Sequence, residues 1–205
     1  MVKYIYITLK SLIFNPIIGM ILYKSKIHPL ARVQSFGSKV QVSQVIIKEF
    51  VSVIPASGLI ILEPGVLIER NSELRGMSNK LQLGRNTTIN KGVTMIGDII
   101  VGDSCLIAQN VFISSRSHLI EYSPGLTIRE QEAKFLENNT QDDFPSDEVL
   151  IGQDVWIGAG VVILPGVRLG DGVIVSANSV VTESFGPNLI IGGIPAQVIR
   201  NRIID

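Results

Sequence analysis

Residues 149–175 read VLIGQDVWIGAGVVILPGVRLGDGVIV, and aliphatic side chains recur at every sixth position of this stretch. One phase of the period consists of Ile151, Ile157, Ile163, Leu169, Val175 and Val181, and a second consists of Val155, Val161, Val167, Val173 and Ser179. An α-helix repeats every 3.6 residues and a strand every two, so neither explains a period of six. The pattern therefore indicates a structural repeat with two inward positions per unit.

The same period occurs upstream, between residues 83 and 113. One phase there consists of Leu83, Ile89, Met95, Val101, Ile107 and Ile113. Six residues suit one flat strand plus a turn, so three repeats make a triangular coil, and successive coils stack as parallel strands. We therefore predict an all-β fold, a left-handed parallel β-helix of six-residue repeats.

Each triangular coil needs sharp corners, and the sequence supplies residues that tolerate them. The expected corners are Gly84-Arg85-Asn86, Gly102-Asp103-Ser104, Gly152-Gln153-Asp154 and Gly170-Asp171-Gly172, because Gly, Asn and Asp adopt the backbone angles of tight turns. Cys105 falls on the inward series, which favours a small buried hydrophobe over a reactive thiol. As the single cysteine, it also excludes an intrachain disulfide.

The domain organisation predicted is an apolar, helical N-terminal segment over residues 1–44 and a β-helix domain over residues 45–205. Residues 45–68 are apolar but keep the six-residue phase poorly, which predicts irregular early coils. Residues 4–23 are mostly apolar, yet Lys10, Asn15, Pro16 and Gly19 interrupt them. We expect a kinked helix that packs against the domain or a neighbouring subunit, or that rests on a membrane surface, rather than a signal peptide or spanning helix.

Residues 114–150 break the period and must leave the coil as an extruded loop. Their acidic residues are Glu121, Glu130, Glu132, Glu137, Asp142, Asp143, Asp147 and Glu148. Long loops in compact domains commonly cover binding sites, so a lid is expected, with a disordered acidic insertion as the alternative. After the last repeat, residues 195–203 are expected to form a short C-terminal helix that caps the final coil.

Charge and composition exclude several classes of partner. Lys+Arg and Asp+Glu both total 18, and no long basic stretch points to nucleic acid. The chain has no Cys/His spacing typical of structural zinc, and we expect no metal. The single cysteine fits a reducing, cytoplasmic setting, at the inner face of a membrane if the N-terminal segment contacts one.

Residues 81–203 resemble the hexapeptide-repeat acyltransferases, which include the maltose, galactoside, serine and streptogramin acetyltransferases. The most specific stretches are residues 149–167, similar to the family's D-V-W-I-G coil, and residues 191–200, similar to its G-x-P-A-x-x-I closing turn. The resemblance implies a homotrimer, acetyl-CoA lying along a groove between neighbouring coils, and an acceptor hydroxyl activated by one histidine.

The chain contains two histidines, His28 and His118. Residues 102–118 match the galactoside acetyltransferase segment without a gap, so the resemblance implies that His118 is the catalytic base. His28 lies outside any repeat and is expected to be structural or exposed. An imidazole, with an ordinary pKa of about 6.5, can accept a hydroxyl proton as the oxygen attacks a thioester, and the chain has no Gly-x-Ser-x-Gly elbow for a covalent serine mechanism.

The resemblance also implies contacts with the acyl donor. Ala159 matches the position beside the thioester, where the galactoside enzyme has a hydroxyl. Ala177 matches a small residue that packs against pantetheine, and Arg200 matches a cation near the CoA phosphates. Trp156 is interpreted either as a packing residue on the coil or as a platform against which the lid clamps substrate.

The acceptor side is less defined. Asn90 and Asp98 are candidate acceptor contacts, or corner residues that satisfy backbone amides. Glu121 is the acidic residue nearest to His118, but one chain's spacing does not establish a dyad. We expect an acetyl-CoA-dependent O-acetyltransferase acting on a sugar hydroxyl, in capsule, O-antigen or other surface-polysaccharide synthesis. The alternatives are N-acetylation of a nucleotide-linked amino sugar and a non-catalytic β-helix scaffold.

Overall fold

The structure is a computed structural model that describes residues 25–34 and 39–203. Within them, the strands form three sheets, each built from one side of successive coils and named here faces A, B and C. Face A stacks β1 (Lys26–Ile27), β4 (Ile46–Ile47), β7 (Leu67–Ile68), β10 (Thr88–Ile89), β13 (Leu106–Ile107), β16 (Trp156–Ile157), β19 (Ile174–Val175), β21 (Leu189–Gly193) and β22 (Ala196–Asn201). Face B stacks β2 (Arg32–Val33), β5 (Ser52–Pro55), β8 (Glu73–Gly76), β11 (Thr94–Ile96), β14 (Phe112–Ser114), β17 (Val162–Ile163) and β20 (Val180–Val181). Face C stacks β3 (Val40–Val42), β6 (Leu59–Leu62), β9 (Lys80–Leu83), β12 (Ile99–Val101), β15 (Val149–Ile151) and β18 (Arg168–Leu169). The β-helix is confirmed.

The six-residue period places one aliphatic column inside each face. On face A, Ile89, Ile107 and Ile157 stack in register and are fully buried, while their neighbours Thr88, Leu106 and Trp156 point outward. Burying one such side chain stabilises a fold by about 1.5–3 kcal/mol, and every coil adds several. The repeated stretch that indicates the fold is thus also the stretch that forms its core.

The four tripeptides expected at corners turn the chain from face C to face A. Their third residues have left-handed backbones, with φ of 56° at Asn86, 59° at Ser104, 54° at Asp154 and 70° at Gly172. The first glycine has another purpose, since a Cβ on Gly102 would lie 2.6 Å from the carbonyl carbon of Gly152 in the next coil. Glycine is needed at the first position because the corners stack too closely for a Cβ. At the third position the requirement is a residue that tolerates a positive φ.

The strands of the early coils stack in register, and the expected irregularity is confined to one corner. Strands β1 to β3 precede residue 45 and pair in register with the next coil, so the β-helix begins within the segment assigned to residues 1–44. Val53 and Leu62 are both inward but nine positions apart, as are Leu74 and Leu83. The phase is lost because the corner between faces B and C carries three extra residues in these coils, which leave the stacked strands undisturbed.

The C-terminal segment is a strand, and the expected helix there is wrong. β22 pairs antiparallel with β21 after a turn at residues 194–195. A helix of about six residues is marginal in water, whereas the hairpin gains backbone hydrogen bonds from β21 and extends face A. The edge of the last coil is therefore covered by β-pairing.

The extruded loop occurs as expected, between the end of β14 at Ser114 and the start of β15 at Val149. We name residues 115–146 the lid. It contains helix α1 (Ile128–Leu136) and a 3-10 turn (Gln141–Asp143), so an ordered element replaces the disordered alternative. The kinked helix expected over residues 4–23 lies outside the described residues. Among those described, no helix has the length and apolar character needed to cross a membrane.

Candidate active site

Asp98 joins the two ends of the lid to the coil. At the corner between faces B and C, its carboxylate accepts the backbone N–H of Asn79 at 2.8 Å and the hydroxyl of Ser146 at 2.8 Å. Its own N–H donates to Ser115 Oγ at 2.8 Å, and the Ser115 and Ser146 hydroxyls lie 2.7 Å apart. Asp98 is 1% exposed. The structure therefore favours the corner interpretation of Asp98 over an acceptor contact.

Arg116 fastens the start of the lid to an earlier coil. Its Nη1 donates to the carbonyl of Gln141 at 2.7 Å, and its Nη2 donates to the hydroxyl of Ser78. Ser78 belongs to the extra residues that widen the corner between faces B and C. Those residues, which include Asn79 beside Asp98, support the base of the lid.

Two residues on one side of α1, Gln131 and Phe135, are buried and organise the lid. The Gln131 amide accepts the backbone N–H of Ser123 at 3.0 Å and donates to the carbonyls of Ile120 and Leu126 at 3.3 and 3.0 Å. One side chain thus ties the helix to the loop before it. Residues 120–126 and the helix consequently form one unit.

Phe135, one turn further along α1, packs in an aromatic cluster. Its ring makes edge-to-face contacts with Tyr122 at 5.3 Å and with Phe144 at 4.9 Å between centroids. Such pairs contribute about 0.5–1.5 kcal/mol each beyond their buried area. The lid therefore has a small core of its own.

Both helical elements of the lid begin at a threonine with a reciprocal carboxylate. The pKa of Glu130 is lowered by hydrogen bonds from Thr127, mainly from its hydroxyl and also from its backbone N–H. The pKa of Asp143 is lowered by hydrogen bonds from Thr140, mainly from its backbone N–H and also from its hydroxyl. These are capping boxes, in which a carboxylate three residues on satisfies the first N–H. The charged carboxylates stabilise the two helical starts.

His118 is placed by the lid and is paired with a carboxylate of α1. His118 Nδ1 lies 2.6 Å from Glu132 Oε1, and the imidazole is 77% exposed while the Glu132 side chain is 26% exposed. The second ring nitrogen, Nε2, lies on the side of the ring away from this contact. A histidine held in this way is suited to accept a proton at Nε2.

Asn90, Ala159 and Ala177 lie on one corner, between faces A and B, in different coils. Asn90 donates from Nδ2 to the carbonyl of Ile107 at 3.1 Å, and the carbonyl of Ala159 accepts the N–H of Asn178, the residue after Ala177, at 2.8 Å. The structure thus brings the proposed thioester and pantetheine positions onto adjacent levels of one corner. Their small side chains leave the backbone there open to close approach.

Trp156 and Arg200 lie on face A, in one register column that runs from Trp156 through Ile174 and Ile190 to Arg200. Trp156 is 51% exposed and stacks in register between Leu106 and Ile174. Arg200 lies on β22 opposite Ile190, and its Nη1 donates to the carbonyl of Asn201 at 3.1 Å. Both side chains reach the outside of the coil, near the end at which β22 covers it.

The sequence-predicted residues therefore fall in two places. His118 belongs to the lid, which leaves the coil at the corner between faces B and C. Asn90, Ala159 and Ala177 lie at the corner on the other side of face B. His28 lies apart from both sets, just after β1, where its Nδ1 accepts the N–H of Leu30 at 3.2 Å.

Glu132 is the residue that sequence reasoning missed. The capping pattern Thr127-x-x-Glu130 indicates the start of α1, but it does not indicate which helical side chain meets His118. The Cys105 thiol has no part in the site. Burial raises the pKa of the Cys105 thiol to about 11, and within residues 25–34 and 39–203 no three His, Cys, Asp or Glu side chains group as metal ligands.

Comparisons with known proteins agree with this fold. Residues 148–183 match the family described as bacterial transferase hexapeptide (six repeats). The chain is 32% identical over 168 residues to the galactoside O-acetyltransferase of Escherichia coli (strain K12), covering 81% of this chain and 71% of that protein. It is 36% identical over 110 residues to WbbJ of the same strain, whose name provisionally assigns it to lipopolysaccharide biosynthesis as an O-acetyl transferase; 53% of each chain is covered.

A solved structure also matches in fold. AntD, an N-acyltransferase from Bacillus cereus in complex with dTDP and 3-hydroxybutyryl-CoA, aligns with a TM-score of 0.55 at 19% identity, over 88% of this chain and 81% of that one. A sequence identity of 19% supports a similarity of fold and nothing about activity. Taken with the identity and coverage shared with the galactoside enzyme, the repeat, the coil and the matched family residues show that this chain belongs to the hexapeptide-repeat acetyltransferases.

Proposed function

We propose that this chain is an acetyl-CoA-dependent O-acetyltransferase that acts on a sugar hydroxyl, with His118 as the general base. The observation that carries the proposal is the exposed imidazole whose Nδ1 is 2.6 Å from a carboxylate, because this leaves Nε2 to take the acceptor's proton. General-base assistance contributes about 10²–10⁴-fold to a rate. Positioning of the two substrates supplies much of the rest.

We assign the acyl donor to the corner between faces A and B and to the adjoining outer surface of face A. Ala159 and Ala177 present little more than backbone there, Arg200 offers a guanidinium suited to phosphate, and Trp156 offers a broad exposed ring. Bound acetyl-CoA would supply the activated acyl carbon. Because Ala159 has no hydroxyl, we assign oxyanion stabilisation to its backbone N–H.

We propose a homotrimer in which His118 of one copy faces the donor corner of another. The support is that these groups lie at different corners of one coil and that face A exposes Leu106 and Trp156, each about half exposed. Apolar area of this kind is suited to a neighbouring subunit. We also assign Asn90 to the acceptor, although its amide satisfies the backbone carbonyl of Ile107 at that corner.

The names of two relatives support the acceptor class. One is named for galactosides and another for lipopolysaccharide biosynthesis, so we assign a sugar of capsule, O-antigen or another surface polysaccharide. We assign the reaction to the cytoplasm.

The test is thiol release from acetyl-CoA over a panel of free, nucleotide-linked and polymeric sugars, with product mass spectrometry. We expect acetyl on oxygen and a loss of about 10²–10⁴-fold in kcat in His118→Ala, with His28→Ala as the matched control. Full activity in His118→Ala would rule out His118 as the general base. Acetyl on nitrogen would favour N-acetylation of an amino sugar, and absence of both turnover and CoA binding would favour the scaffold.

A further inference from the structure

We propose that Glu132 is the positioning residue of the site, holding His118 in the tautomer that carries its proton on Nδ1. The catalytic consequence of this assignment rests on the proposed function, but the assignment itself concerns the imidazole alone. A neutral histidine is a base at one nitrogen only, so the tautomer decides whether the nitrogen offered to an acceptor bears a lone pair or a proton.

The contact has the geometry of a charge-assisted hydrogen bond. The distance of 2.6 Å between Nδ1 and Oε1 is close to the length of about 2.7–2.9 Å that is usual for such bonds. A carboxylate accepts hydrogen bonds and donates none, so Nδ1 must carry the proton. When the ring is neutral, Nε2 then has the lone pair, and the ring is 77% exposed.

Glu132 is held more firmly than the exposed histidine it contacts. It follows Gln131, whose amide makes three hydrogen bonds to residues 120–126, and it precedes Phe135 of the aromatic cluster by one turn. Its own side chain is 26% exposed. Since residues 120–126 closely follow His118, the same contacts shape the segment that carries the imidazole and the helix that carries the carboxylate.

The chemistry requires Nε2 twice. As the acceptor oxygen bonds to the thioester carbonyl carbon, His118 Nε2 takes the hydroxyl proton. When the carbon–sulfur bond breaks, Nε2 returns that proton to the departing sulfur, so that the thiol leaves neutral and the histidine is restored. Between these events the ring is an imidazolium, which the Glu132 carboxylate stabilises without taking the proton.

The first experiment reads the tautomer without substrate. The chain has two histidines, so nitrogen NMR of ¹⁵N-histidine-labelled protein above the imidazole's ordinary pKa yields two ring systems, and His118→Ala assigns them. We expect His118 to be protonated on Nδ1 in the wild type and to shift to the usual Nε2–H form in Glu132→Ala, with His28 unchanged. A wild-type His118 protonated on Nε2, or a tautomer unaffected by Glu132→Ala, would overturn the assignment.

The second experiment separates positioning from general support of the lid. In Glu132→Gln and Glu132→Ala we expect kcat to fall by about 10–100-fold, part of the general-base contribution, with KM for acetyl-CoA and the melting temperature little changed. Glu132→Asp should recover part of the loss. Glu121→Gln, which removes a charge from an exposed residue of the same lid, is the matched control and should behave as wild type.

The outcomes distinguish this assignment from the proposed function. The expected tautomer shift without acetyl transfer to any sugar supports the role of Glu132 and refutes the proposed function. Acetyl transfer with kcat unchanged in both Glu132 variants refutes the role of Glu132 and leaves the acetyltransferase standing. A rise in KM for both substrates, with kcat unchanged, would mean that Glu132 only holds the lid, which also overturns the assignment.

Discussion

Two carboxylates near the lid have opposite surroundings and hence different roles. Asp98 is buried, and its oxygens accept bonds from Asn79 and Ser146, so they are committed to holding the lid. Glu132 is partly exposed and meets the imidazole of His118. Residue type alone does not separate these roles, because both are acids in a polar context.

Replacing Asp98 with Asn is expected to destabilise the chain. The change loses the charge and places an amide donor where two donors already point, so the free energy of unfolding should fall by about 1–3 kcal/mol. Alkylation of the buried Cys105 thiol in increasing urea measures this, because burial and a pKa of about 11 protect that thiol until the coil opens.

The same variant tests the acceptor interpretation of Asp98. If Asp98 contacts the acceptor, Asp98→Asn should raise KM for the sugar at unchanged stability. The structure instead predicts that Asp98→Asn lowers the stability of the chain and leaves KM for the sugar unchanged. Thr182→Ser, a mild substitution at the same corner three coils later, controls for local packing changes.

The lid behaves as an element with its own core and its own caps. Gln131 and Phe135 hold it internally, whereas Asp98 and Arg116 attach it to the coil. The coil below is held by stacked aliphatic columns that contain no titrating carboxylate. Conditions that remove the capping charges should therefore loosen the lid before the coil.

Acid should open the lid selectively. The folded-state pKa values of Glu130 and Asp143 lie below their ordinary values of 4.5 and 3.8. Their stabilisation is therefore present above those ordinary values and is lost as pH falls through the lowered folded values. Hydrogen exchange of residues 128–136, corrected for intrinsic rates, should lose protection between about pH 6 and about pH 3 while β17 and β20 stay protected.

The control for this prediction is Glu130→Gln. Its helix should already be less protected at about pH 6 and should depend less on pH than the wild-type helix. Equal acid sensitivity in the variant would show that the Thr127 cap is not the titrating contact. Loss of protection in the coil at the same pH as in the lid would contradict their independence.

At the scale of the molecule, the proposed site divides between two corners of the coil. His118 leaves with the lid at the corner between faces B and C, and the donor residues lie between faces A and B. A closed ring of identical copies can place one corner of each copy against the other corner of its neighbour. The fold thus offers a reason for assembly beyond burial of apolar area.

Mixing two inactive variants tests this arrangement. His118→Ala retains the donor corner, and Ala159→Trp fills that corner but retains His118. If each site uses both from different copies, co-refolding the variants in equal amounts should restore about one quarter of wild-type activity by random assembly. No recovery from trimers that contain both variants would place the whole site within one copy, and a monomer by sedimentation would refute the trimer.

The sequence by itself determined the coil, because a β-helix core is periodic. Ile151, Ile157 and Ile163 must recur every six residues to fill one column, so the pattern is visible without coordinates. Corners such as residues 102–104 are equally local, since backbone angles and close stacking restrict residue type. The departure of the lid and its histidine was predictable for the same reason, because both interrupt the period.

Contacts between segments far apart in sequence were decided only by the tertiary structure. The three extra residues at 77–79 appear in the sequence as lost phase, yet in space they support Asp98 and Arg116. The last residues pair as a strand because β21 is beside them, which local propensity does not record. Glu132 meets His118 because a helix with its own core turns it there, and no spacing between the two residues encodes that contact.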